Sequence, residues 1–164
     1  MTSRDLIRPL ARRFNWMANR IIPECTIDGG IADLLVITKA GYLTEIEIKV
    51  RLSDWKADLL KRKWYIERPH ISRFFYAAPY DLASNPPEGL PEGAGILGIS
   101  GAGQHIRMVG VHVLRPAKRK RTTKLTRLEI LELSDCMYYR WWHTKFRDIA
   151  SPLFEKEENA AKID

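Results

Sequence analysis

Little in this chain points to covalent or histidine-held staples. Its two cysteines, Cys25 and Cys136, stand far apart, a separation that gives neither a disulfide framework nor the paired spacing of a zinc knuckle. Both are expected as small buried residues of a reduced, cytoplasmic protein. The four histidines, His70, His105, His112 and His143, have no ligand-like companions in the sequence, which argues against a metal held by imidazole. Long apolar runs are missing as well. The N-terminus meets charges before a leader core forms, and no later run approaches a membrane span, so a soluble, cytoplasmic protein with no membrane-spanning segment is expected. The stretch from Gly98 to Gly103 is rich in glycine but lacks the lysine and following helix of a phosphate loop, so it reads as a turn. There is no internal repeat and no low-complexity tract.

What is present suits one globular domain. The chain has 164 residues, 45% hydrophobic and 29% charged, enough to bury a core, with the domain expected over 1–150 and a charged, frayed tail over 151–164. Twenty-seven Lys and Arg stand against 20 Asp and Glu, a net +7 with a pI near 9.5. That excess favours an anionic partner, DNA or RNA first and acidic lipid behind it.

The most informative stretch is Leu43 to Val50, Leu-Thr-Glu-Ile-Glu-Ile-Lys-Val. Alternation along a strand sends Ile46, Ile48 and Val50 to one face and Glu45, Glu47 and Lys49 to the other. Two carboxylates and an ammonium at that spacing suit a hard cation beside a group aimed at a phosphate. A half-buried strand with a solvated charged face gives the same pattern. Upstream, Ile31 to Ile37 is an apolar run holding a single acid, Asp33, and Lys39-Ala40-Gly41 reads as a hairpin loop. A loop of that length sets Asp33 opposite Glu47. One residue more or fewer would set it opposite an isoleucine, on the wrong face. An acid inside an apolar strand needs a partner, exposure or a cation.

The other elements follow from periodicity. Leu6, Leu10, Phe14, Met17 and Ile21 predict an amphipathic helix from Ser3, its N-cap, to about Arg20, ended by Pro23, with Glu24 to Asp28 a short extended segment. Ser53 is expected to cap a helix from Asp54 to about Glu67 that carries Lys56, Lys61 and Lys63. Arg73 to Ala78 predicts a buried strand, reached by a helical crossover and therefore parallel to the Leu43 strand, which makes the chain α/β. Tyr80 to Gly93 reads as loop, then Gly95 to Ser100 and His105 to Leu114 as a strand hairpin. Arg115, Lys118, Arg119, Lys120 and Arg121 crowd five cations into a loop suited to gripping phosphates, or to being a solvated linker. A helix over 122–149 follows, its aromatic residues read as core ahead of a base-stacking or dimer surface. Monomer and homodimer both stay open.

With Asp33, Glu47 and Lys49 in place, the chain resembles the PD-(D/E)XK nuclease superfamily, an acid on one strand and acid-x-lysine on the next. More closely it is similar to the MmcB-like DNA repair proteins, on the stretches Pro23 to Asp33, Glu45 to Lys49, Ser53 to Asp58, Lys63-Trp64, Arg73 to Pro79 and Leu90 to Leu97. The resemblance implies a restriction-endonuclease-like fold, a mixed β-sheet flanked by α-helices, with the C-terminal helix an addition. It implies a metal-dependent nuclease of bacterial or phage DNA repair or processing, with Mg²⁺ or Mn²⁺ held by Asp33, Glu47 and the carbonyl of Ile48. Lys49 would orient or deprotonate the attacking water, or offset charge on the phosphate. Glu24 would be an additional acid and Glu45 a structural ion-pair partner. The alternative is a nuclease fold that binds DNA or recruits a protein without catalysis.

Overall fold

Alternation in β3 (Leu43–Ile48) is kept, yet all six of its residues are buried. The strand lies inside an open six-stranded mixed sheet, in order β1 (Arg20–Ile27), β2 (Gly30–Ile37), β3, β4 (Ile71–Pro79), β5 (Gly95–Ser100) and β6 (Gly110–Arg115). The structure, a computed structural model, describes residues 2–60, 68–101, 110–135, 137–140 and 143. β4 runs parallel to β3 and to β5, and the remaining neighbours are antiparallel. Helix α2 (Leu52–Leu60) begins the crossover from β3 to β4, as such parallel pairing requires.

Helices cover both faces, which is why β3 has no solvated side. Helix α1 (Ser3–Arg13) sets Leu6 and Leu10 against Leu34, Val36, Ile46 and Ile48. On the other face, Trp55 of α2 packs with Phe74, Tyr76 and Ile96. Leu125 and Ile130 of the C-terminal segment pack there with Leu35, Leu43 and Ile71. The restriction-endonuclease-like expectation holds: a mixed sheet flanked by helices, with an added helix, α4 (127–135), near the C-terminus.

Several boundaries differ from the periodic reading. α1 stops at Arg13 because Asn15 turns left-handed at φ 52° and the Asn19 side-chain amide donates to the Phe14 carbonyl at 2.7 Å, closing the helix end. Met17, expected on its buried stripe, is 82% exposed. Thr2, not Ser3, starts the helix: its N–H and hydroxyl donate to the Asp5 carboxylate at 2.7 and 3.1 Å, bonds that hold Asp5 below the usual carboxylate range. Pro23 ends no helix. It lies within β1, an edge strand, where a missing N–H is tolerated. α2 begins at Leu52, so Ser53 is inside it rather than capping it, and its expected extension over 61–67 lies outside the described residues. Tyr80–Ser84 forms a short helix, α3, where only loop was expected. β6 extends to Arg115, and 102–109 lie outside the described residues.

The basic stretch after β6 is neither regular helix nor free linker. Backbone N–H groups of Lys118, Lys120, Thr123 and Leu125 donate to the carbonyls of Gly93, Ser72, Pro69 and Gly41 at 2.8 to 3.0 Å. The chain is thereby strapped across the N-terminal ends of β5, β4 and β3. Two left-handed glycines make room. A Cβ at Gly41 (φ 80°) would stand 2.6 Å from the Leu125 carbonyl oxygen, and one at Gly93 (φ 77°) 2.9 Å from the Lys118 Cβ.

The helix expected from 122 begins only at 127. The Thr126 N–H and hydroxyl donate to the Glu129 carboxylate at 2.7 and 2.6 Å, and the Glu129 N–H returns to the Thr126 hydroxyl at 3.3 Å, a capping box that fixes the start. The rest of that helix is described only at 137–140 and 143. Hydrogen bonds from the Thr126 hydroxyl, then its N–H, hold Glu129 below its ordinary value of 4.5. A depressed carboxylate contributes stability that is full above the unfolded pKa and lost as pH falls through the folded one. Thr126→Ala is therefore expected to destabilise the protein near neutral pH, with the deficit shrinking as pH drops through the carboxylate range. Urea unfolding across a pH series reads this, and a pH-independent deficit contradicts it.

Candidate active site at the ends of β2 and β3

The β2–β3 hairpin closes through the loop expected: Thr38 N–H donates to the Tyr42 carbonyl at 3.0 Å and Gly41 N–H to the Thr38 carbonyl at 2.9 Å. Leu34 then pairs with Ile46 and Leu35 with Glu45, the register that, carried one residue on, sets Asp33 opposite Glu47. There the ladder ends, and the Asp33 carboxylate accepts the Ile48 N–H at 2.7 Å. Asp33 and the Glu47-Ile48-Lys49 run are thus joined by the fold.

Lys49 is 8% exposed and Glu47 2%. Burying such groups costs several kcal/mol per ion unless they are matched, and the match is visible. The Lys49 ammonium lies 3.1 Å from Glu47 Oε2 and 3.3 Å from Asp58 Oδ1. The Tyr76 hydroxyl donates to the other Asp58 oxygen at 3.1 Å, and the Tyr76 ring centroid is 6.0 Å from the ammonium. Tyr76 is the parallel register partner of Glu47, so the sheet itself delivers the hydroxyl. Glu45, fully buried, is ion-paired with Arg68, consistent with a structural role.

Asp58 and Tyr76 were not singled out from sequence. Asp58 follows Trp55 by three positions in α2 and shares its buried face, so an acid on a helix's apolar stripe was the available signal. Arg68 carried none, because it meets Glu45 from 23 residues away.

Glu24 sits on β1 between Pro23 and Cys25, which pair with Leu34 and Ala32 and so bracket Asp33. Its backbone is left-handed at φ 50°, a strained conformation for a glutamate in a strand. Its side chain is 76% exposed and lies 3.5 Å from Arg140 rather than against Glu47. Among the described residues, no group of three or more His, Cys, Asp or Glu is arranged to hold a metal ion.

The cations expected to meet nucleic acid divide. Lys56 is exposed on α2, while Lys61 and Lys63 lie outside the described residues. Arg115 turns inward, its Nε donating to the Ala94 carbonyl at 2.7 Å, which makes it structural. Lys118 reaches Glu92 at 3.3 Å, and the Arg119 guanidinium lies 4.5 Å from the Tyr42 ring centroid. Lys120 and Arg121 are exposed on the strap. Among the described residues, no helix is long and apolar enough to cross a membrane.

The family model described as DNA repair protein MmcB-like matches residues 2–133. No curated protein shows a significant match. A solved structure of a protein of unknown function from Silicibacter pomeroyi is similar in fold, with a TM-score of 0.59 at 20% identity over 93% of this chain and 93% of that one.

Proposed function

Because the chain belongs to the MmcB-like family of DNA repair proteins, we propose that it is a metal-dependent nuclease that hydrolyses phosphodiester bonds in bacterial or phage DNA, with Asp33, Glu47 and Lys49 at its active centre. One observation carries the reading. A lysine ammonium is held in the interior between Glu47 and Asp58, where Asp33 caps the β2–β3 ladder. Apolar side chains of similar volume would serve stability as well or better, so a buried cluster of this kind speaks for chemistry.

The donors suit Mg²⁺ or Mn²⁺. Asp33, Glu47 and the Ile48 carbonyl offer only oxygen, and Mg²⁺ takes one or two carboxylates together with water and phosphate oxygens rather than a complete protein cage. A two-carboxylate site of this kind is compatible with there being no larger cluster among the described residues. A bound ion there supplies Lewis-acid polarisation of the phosphate and a more acidic water. The protein's part is placement. Tyr76 fixes Asp58, Asp58 and Glu47 fix Lys49, and Lys49 orients the attacking water or offsets charge growing on the phosphate. Glu24, one strand away from Asp33 with its side chain at Arg140, would have to turn inward to serve as the additional acid.

The engagement of Lys49 by two carboxylates also favours a second reading, a catalytically silent nuclease fold that binds DNA or recruits a protein. Purified protein incubated with DNA distinguishes the two. Cleavage that requires Mg²⁺ or Mn²⁺, stops with chelator and is lost in Asp33→Asn is the expected result. Cleavage indifferent to chelator and to that substitution refutes the proposal, and metal and DNA binding without cleavage leaves the silent module.

A further inference from the structure

A cavity of about 690 Å³ lies beside the candidate active site and has no part in it. Its apolar surfaces come from Leu59 of α2, from Ile71 and Phe74 of β4, and from Leu90 and Pro91. Glu45 lines it two residues before Glu47 on the same face of β3, about 7 Å along the strand. Its volume falls within the range of ordinary ligand pockets.

Among the described residues, six cations line the cavity, Arg68, Arg73 and the strap's Lys118, Arg119, Lys120 and Arg121, against the two acids Glu45 and Glu92. Arg68 is taken by Glu45 and Lys118 by Glu92, and Arg119 lies over the Tyr42 ring. Arg73, Lys120 and Arg121 have no ion-pair partner among the described residues. Lys120 and Arg121 are held in place even so, since backbone hydrogen bonds on either side, from Lys120 to Ser72 and from Thr123 to Pro69, pin the strap. A pinned basic segment loses less entropy on gripping an anion than a loose one.

The direction of the strap decides the kind of ligand. It crosses the N-terminal ends of β5, β4 and β3, whereas Glu47 and Lys49 lie at the C-terminal end of β3. A nucleic-acid strand entering the cavity therefore meets the strap's basic side chains at those ends of the strands. A strand end fits there. A terminal phosphomonoester carries more than one negative charge near neutral pH, against one for an internal diester, and so matches several uncompensated cations better.

We propose that this cavity binds the terminal nucleotide of a DNA strand through its end phosphate, with Lys120 and Arg121 as the phosphate-binding residues and the apolar surfaces beside Phe74 receiving the nucleoside. The identity of the ligand rests on the nuclease reading. The test is a binding measurement in chelator, so that no cleavage occurs, by fluorescence anisotropy at low salt. Two labelled single strands of one sequence are compared, one with a 5′-phosphate and one with a 5′-hydroxyl. The phosphorylated strand is expected to bind about tenfold tighter, and Lys120→Ala with Arg121→Ala to erase the difference. Both side chains are exposed, and the Lys120 backbone hydrogen bond survives substitution, so the double variant is expected to unfold at the parent's midpoint. An excess of mononucleotide 5′-phosphate should displace the phosphorylated strand. Equal affinity for the two strands, no binding of either, or a preference that persists in the double variant overturns the inference. Phosphate preference without metal-dependent cleavage removes the nuclease reading alone, and cleavage without the preference removes this one alone.

Discussion

Lys49→Ala should lower the DNA cleavage rate by roughly a hundredfold or more and cost about 3–5 kcal/mol of stability. Both effects come from one ammonium. Its removal takes away the group proposed to act on water or phosphate. It also leaves Glu47, 2% exposed, and Asp58, likewise 2% exposed, facing each other across the space the ammonium held. The two effects separate in Lys49→Arg. A guanidinium keeps the charge and should recover part of the stability, but its planar fork does not reproduce the position of a point charge 3.1 Å from Glu47 and 3.3 Å from Asp58. Cleavage should stay low. Urea unfolding and single-turnover cleavage, the latter scaled to the folded fraction, read both quantities. Full activity in folded Lys49→Ala would remove the lysine from the mechanism.

Arg68→Ala should be destabilising by a similar amount, about 3–5 kcal/mol, with a much smaller effect on cleavage by the folded fraction. Arg68 is ion-paired with Glu45, whose side chain is fully buried, and it also donates to the Ile27 carbonyl at 3.3 Å. It therefore ties the segment before β4 to both β3 and the β1–β2 turn. Beside that turn, His70 makes a second tie through its backbone N–H and ring to Asp28, at 3.1 and 2.7 Å. Replacing both partners, Glu45→Leu with Arg68→Leu, should recover much of the loss, because the penalty lies in a buried charge that has lost its Arg68 ion pair and not in the absence of a bond. A double variant no more stable than Arg68→Ala would contradict that account. Lys49 and Arg68 thus differ in one respect: both buried cations are expected to matter for folding, and only Lys49 for cleavage.

The local part of this site was legible in the sequence. Alternation in Leu43–Ile48 separates Glu45 and Glu47 from Ile46, and the length of the Lys39-Ala40-Gly41 loop fixes the register, Leu34 to Ile46, beyond which Asp33 meets the Ile48 N–H. Those are short-range constraints, set by the pleat and by one turn. The burial of the charged face was not legible. Alternation predicts two unlike faces but not that the second is also covered. That depends on Arg68, Asp58 and Tyr76, which reach β3 from elsewhere in the chain.

The same limit explains the strap. Five cations in seven residues look alike whether solvated or pinned, and the four backbone hydrogen bonds that pin the segment go to carbonyls of Gly93, Ser72, Pro69 and Gly41, residues the local pattern does not connect. α1 was overextended for a related reason. Phe14, Met17 and Ile21 keep helical spacing, but the chain turns at Asn15 and Ile21 enters the edge strand β1. Periodicity recorded which residues are apolar and missed that they serve two different elements.

The most direct measurement is a crystal of the protein soaked in Mn²⁺, with the ion located by its anomalous scattering. A nuclease centre on β2 and β3 predicts Mn²⁺ bound by the carboxylates of Asp33 and Glu47 and the carbonyl of Ile48, with the Lys49 ammonium beside it. No Mn²⁺ at those oxygens under saturating soak, or Mn²⁺ only at other acids with the Asp33 carboxylate still on the Ile48 N–H, would contradict it.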